Sequence, residues 1–117
     1  MSKNLALLND EPIQALLEEG SSFDGEMRFQ GTARIGGKFQ GHIQGQGTLI
    51  IDSTATVEAS IEVNHLVVLG KLIGQITASR SVLMEPPAHF KGEVTTPSLS
   101  IKEGVTFEGS SKKMTPS

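Results

Sequence analysis

Apolar residues recur along this chain in a fixed cadence. A five-residue unit, apolar-x-Gly-x-apolar, appears as Phe23-x-Gly25-x-Met27, Phe39-x-Gly41-x-Ile43, Val57-x-Ala59-x-Ile61, Leu72-x-Gly74-x-Ile76 and Phe90-x-Gly92-x-Val94, with a partial copy at Phe107-x-Gly109. Successive Gly or Ala positions in this unit lie 16, 18, 15, 18 and 17 residues apart. A second unit, apolar-x-apolar, runs beside it at Ala33/Ile35, Leu49/Ile51, Leu66/Val68, Val82/Met84 and Leu99/Ile101, spaced 16, 17, 16 and 17. Alternation at period 2 within each unit means strand and not helix. Two interleaved patterns sharing a period of about 17 predict an all-β, single-domain parallel β-helix of about six coils, each with three short strands and three corners. At the inter-strand spacing of about 4.8 Å, six coils make a rod on the order of 25–30 Å long.

The stacked columns follow from the period. One inward column holds Phe23, Phe39, Val57, Leu72, Phe90 and Phe107, and the next holds Met27, Ile43, Ile61, Ile76 and Val94. The glycine between them falls where the chain bends, and Ala59 replaces it once. Glu26, His42, Ser60, Gln75, Glu93 and Ser110 form a polar outward column. The predicted solenoid covers residues 22–109.

Residues 1–21 and 110–117 lie outside the repeat. The C-terminal stretch is small and polar and reads as a disordered tail. In the N-terminal tail, Asp10 followed by Pro12 predicts a short helix that Gly20 would end, with Ile13, Leu16 and Leu17 on one face. That face is expected to dock a partner protein or the chain itself. Membrane-surface helices usually carry Lys and Arg on the polar face, whereas this tail carries Asp10, Glu11, Glu18 and Glu19. Lipid binding therefore ranks second, kept open by Leu5–Leu8 with Met1 and Lys3.

Composition narrows the picture. The chain has 117 residues, 13 glycines, five Phe, and neither Trp, Tyr nor Cys. That is one domain with no disulfide and no Cys-based metal site. No stretch approaches the roughly 20 apolar residues of a spanning helix, and the run Leu5–Leu8 is too short for a secretion signal. The expected compartment is the cytoplasm. A net charge of −3 argues against a direct nucleic-acid binder.

Candidate chemistry is thin. His42, His65 and His89 share no column, so they predict neither a catalytic nor a metal site. Gly36-Gly37-Lys38 has Gly31 at P-loop distance, but Phe39 stands where a hydroxyl is required and no helix follows, so no cofactor or nucleotide is expected. The ends and one face are more informative. An uncapped β-helix exposes unpaired backbone groups and a slice of core. Here the first coil presents Phe23, Met27 and Phe29, and the last presents Leu99, Ile101, Val105 and Phe107. These seven are the expected polymerisation surfaces. Ile50, Val67 and Leu83 occupy outward positions of the second unit and predict an apolar stripe on one face, for a neighbouring filament, a partner or the tail.

The chain resembles the bactofilins over about residues 21–109. The resemblance rests on the Phe-x-Gly-x-apolar cadence, including Phe39-Gln-Gly41-His-Ile43, Leu66-Val-Val68-Leu-Gly70-Lys and Phe90-Lys-Gly92-Glu-Val94, in a small Cys-free chain with short tails. It implies a right-handed β-helix with flexible termini that assembles without nucleotide, through its two ends, into non-polar cytoskeletal filaments. It further implies scaffolding of cell shape, polar or chromosome-organising proteins, with other proteins recruited through the N-terminal tail. Bactofilins often attach to membrane through that tail, and its acidic residues depart from the pattern. Two other functions compete: a hexapeptide-repeat acyltransferase, which keeps a stricter period of about 18, and a solenoid adaptor that does not polymerise.

Overall fold

The computed structural model of the chain describes residues 14–17 and 19–113. Its described elements are all strands: β1 (Gln14–Leu17), β2 (Ser22–Ile35), β3 (Lys38–Ile51), β4 (Thr56–Val68), β5 (Lys71–Met84), β6 (His89–Thr96), β7 (Leu99–Ile101) and β8 (Thr106–Lys113). Every pairing is parallel, in the order β1-β2-β3-β4-β5-β6-β8, with β7 on β5. Each strand therefore lies on the one a turn earlier, and the chain winds as a β-solenoid. β2, β3, β4, β5 and the β6–β7 pair supply five full turns, and β1 and β8 add a partial turn at either end. Three short strands per coil were expected; four of the turns instead run as one strand of 13 or 14 residues. The β2–β3 ladder runs unbroken over all 14 residues, whereas the register shifts between Gln44 and Thr48 and between Val63 and His65 interrupt the next two pairings.

The cadence read from sequence is the observed register. Phe23, Phe39, Val57, Leu72, Phe90 and Phe107 are successive partners, as are Met27, Ile43, Ile61, Ile76 and Val94. The uneven period arises mostly in the corners, with the remaining single-residue differences inside the turns, such as the 13 residues of β4 against 14 in β3. Gly36-Gly37 and Leu69-Gly70 turn the chain in two residues, giving the spacings of 16 and 15. Asp52–Ala55, Glu85–Ala88 and Lys102–Val105 take four, closed by Ala55 N–H to Asp52 O (2.9 Å), Ala88 N–H to Glu85 O (2.9 Å) and Val105 N–H to Lys102 O (3.3 Å). The second of these contains a cis Pro86-Pro87 bond.

The core is a continuous apolar prism. Phe39, Ile43, Leu49, Ile51, Val57, Ile61, Leu66, Val68, Leu72, Ile76, Val82, Met84, Phe90 and Val94 are all at most 2% exposed. Fully burying such a side chain contributes about 1.5–3 kcal/mol, so the stacked columns outweigh any local preference. The glycine column is steric in origin. Gly92 has φ +138°, and a Cβ there would lie 2.0 Å from the Gly74 carbonyl oxygen one turn before. Ala59 is accommodated because it is not in the positive-φ region its column neighbours adopt.

Two expectations about the tails are corrected. Gln14–Leu17 form a strand and not part of a helix, because Leu17 lies next to the Ile35 column and parallel pairing on β2 satisfies backbone groups that would otherwise be left at the solenoid's end. Residues 110–113 continue β8 instead of starting a disordered tail, because they pair with residues 93–96 of β6. Ile13 lies outside the described residues.

Candidate assembly surfaces

A solenoid satisfies its backbone by stacking, so its unfinished business lies at the ends. At the N-terminal end β1 covers only residues 33–35 of β2. Among the described residues no strand pairs with the outer edge of β2 over residues 22–29. Phe23 heads the first column and is 39% exposed, its ring 5.5 Å from that of Phe39. Met27 is half-buried. Phe29 differs: it is only 7% exposed, because its ring fills the space above Gly45, where a Cβ would come within 2.3 Å of it. Of the three expected N-terminal residues, the structure places Phe23 and Met27 at the surface and turns Phe29 inward.

At the C-terminal end, β8 covers β6 and leaves the outer edge of β7 without a described strand. Ile101 is 41% exposed, and Leu99, Val105 and Phe107 are half-buried. Phe107 stacks on Phe90 at 5.2 Å between centroids. The phenylalanine column thus ends in a Phe–Phe pair at both ends of the rod. Sequence reading missed the polar content of β8: Ser111 continues the Met27–Val94 column and Lys113 pairs with buried Thr96. The signal was available, since Ser111 falls 17 residues after Val94.

The lateral stripe is real as an alignment. Arg34, Ile50, Val67, Leu83 and Ser100 are successive register partners, and the three apolar ones are half-buried on the outer surface. β1 places Ala15 at the head of this column. Of the expected tail-docking residues, Leu16 and Leu17 belong to β1, and Leu17 packs against the core.

The histidines are dispersed. His65 Nδ1 lies 2.8 Å from Ser81 Oγ, and His89 Nε2 lies 3.9 Å from a Glu108 carboxylate oxygen. His42 sits between Glu26 and Ser60 in its column. Among the described residues no group of three or more His, Asp or Glu is placed to hold a metal ion. No described helix is long and apolar enough to cross a membrane. Polar ladders finish the outer surface: Gln44 Nε2 donates to Glu62 Oε1 (3.2 Å), Gly47 N–H to Asn64 Oδ1 (2.7 Å), and Asn64 Nδ2 to Ser79 Oγ (2.6 Å).

Comparison with known proteins agrees with this architecture. The bactofilin family, described as polymer-forming cytoskeletal, matches residues 15–112. Bactofilin BacO of Myxococcus xanthus (strain DK1622) is 30% identical over 92 residues, 77% of this chain and 73% of BacO. Bactofilin BacP of the same organism is 28% identical over 75 residues, 64% of this chain but only 31% of BacP. The solid-state NMR structure of the cytoskeletal bactofilin BacA superposes with a TM-score of 0.80 at 24% identity, covering 91% of this chain and all of that one. At that identity the likeness speaks for the fold.

Proposed function

We propose, from the premise that the chain belongs to the bactofilin family of polymer-forming cytoskeletal proteins, that it is a filament subunit that joins end to end with copies of itself. The filament needs no nucleotide and serves as a cytoplasmic scaffold for proteins of cell shape, cell pole or chromosome organisation, recruited through the N-terminal segment. The observation that carries this reading is the strand edge left unpaired at each end of the rod among the described residues, where Phe23 and Ile101 are about two-fifths exposed. An unpaired strand edge over an open slice of core is a ready template for another chain. Like pairing with like at both ends gives the non-polar filament the family resemblance implies.

Phe107→Arg tests it. Phe107 is half-buried at the end of its column, so a substituted arginine can still reach water from the lone subunit but would be buried unpaired in a joint, which costs several kcal/mol. Electron microscopy is expected to show filaments of the unsubstituted protein and none of the variant, with circular dichroism unchanged. Undiminished filaments in the variant would overturn that end as a joint. A wild-type protein that stays monomeric at high concentration would leave the non-polymerising adaptor as the better reading.

A further inference from the structure

The face that carries Ile50, Val67 and Leu83 differs from the rest of the outer surface. Those three residues are register partners on successive turns, and all are half-buried. Beside them run Thr48, His65 and Ser81, which hold no carboxylate or ammonium group. Leu69, two residues on from Val67 and also half-buried, widens the stripe at the corner. Charge returns only at the margins. Arg34 heads the column, its side chain about half exposed and 3.8 Å from Asp52, and Glu85 lies beyond Leu83. An apolar stripe bounded in this way marks a surface that another segment covers.

β1 shows which segment lies nearest. The β1–β2 register sets Ala15 beside Arg34, so the chain joins the rod at the head of the stripe. The 13 residues that precede Gln14 include Leu5, Leu7 and Leu8, with Asp10 and Glu11 close to the junction. Running the register back from Gln14 would put Pro12 opposite Gly31, and Gly31 and Gly47 make that corner with φ of +88° and +129°. A proline ring holds φ near about −65°. The corner of the two nearest turns therefore does not suit Pro12, which steers the segment away from the open edge of β2.

Reach and tethering favour this segment over a lone second copy. Val67 lies three turns below β1, roughly 14 Å at the inter-strand spacing, while the residues from Leu7 to Gln14 can span up to roughly 23 Å. A patch on the order of 10 Å each way is far short of the roughly 800 Å² per partner of a stable dimer. A tethered segment needs no such area, because its effective concentration is on the order of millimolar.

We propose that the N-terminal segment, through Leu5, Leu7 and Leu8, covers the Ile50–Val67–Leu83 stripe of its own subunit, with Asp10 and Glu11 near Arg34. A lateral partner then binds the stripe only where the segment has been displaced. This contact lies within one subunit and does not depend on end-to-end joining.

The chain has no cysteine, so paired substitutions report single contacts. Three full-length variants are oxidised with copper phenanthroline in dilute solution: Leu7→Cys with Val67→Cys, Leu7→Cys with Glu26→Cys, and Leu7→Cys with Gln75→Cys. Glu26 is where a continued β1–β2 register would set residue 7, and Gln75 lies on the polar outward column. The Val67 pair is expected to close an intrachain disulfide at least about fivefold faster than the other two. Adding Ile50→Glu and Leu83→Glu to that pair is expected to slow closure to the rate of the Gln75 pair. Fastest closure with Glu26→Cys overturns the proposal in favour of a strand added to β2. Equal rates in all three mean that the segment has no seat on the rod. A mainly interchain disulfide through Val67→Cys gives the stripe to a second copy instead, and closure unaffected by the two added glutamates removes the apolar contact.

Discussion

Glycine in this chain marks where one turn touches the turn before. Gly92 lies on the Gly74 carbonyl, and its φ of +138° is one that L side chains rarely adopt. Gly92→Ala adds a methyl group where there is no room and strains the backbone, so it is expected to cost about 2–3 kcal/mol. A lowered urea midpoint with unchanged m-value is the measurement. Ala59→Gly, in the same column but outside the positive-φ region, should cost no more than about 1 kcal/mol, mainly through unfolded-chain entropy. Equal losses for both variants would contradict the steric account. Gly45 shows the same principle at the rod's end: its missing side chain is the space that Phe29 fills.

At the scale of the strand, packing decides which face each residue shows, and Ile50, Val67 and Leu83 are the exception to polar-outside patterning. Their β-branched or branched chains favour extended backbone, which explains their tolerance without explaining their alignment. We propose that the stripe is used laterally, by a neighbouring filament or a recruited protein. Val67→Glu should cost less than about 1 kcal/mol in stability, while light scattering or pelleting shows reduced bundling or partner capture. Unchanged bundling and capture would leave the stripe without a role. The corners act at this scale too. Two corners of two residues and three of four residues join the turns, and the inward columns stay aligned across them although the pairing shifts once between Gln44 and Thr48 and once between Val63 and His65.

For the whole molecule, the end-to-end joining proposed above would make stability depend on concentration. A joint that forms only between folded subunits stabilises the folded state by mass action. Thermal unfolding of the wild type is expected to shift upward by a few degrees for each tenfold rise in protein concentration, and Phe107→Arg should show a smaller shift. A midpoint independent of concentration would mean that the ends do not associate.

The cadence of Phe39-x-Gly41-x-Ile43 and Leu49/Ile51 was enough to establish the solenoid, its columns and its register, because a repeating turn makes neighbours in space of residues one period apart in sequence. The same rule could have placed Leu17 near Ile35 and Ser111 beneath Val94, but a single copy at a chain's edge is hard to tell from chance, so a helix was expected at Leu17 and disorder at Ser111. Sequence alone could not show that Phe29 turns inward over Gly45 while Phe23 stays exposed, since both head inward columns and differ only in what lies below them. That difference belongs to tertiary structure: exposure at an end depends on the shape of the next turn, and the periodicity that reveals the turn carries no information about where stacking stops.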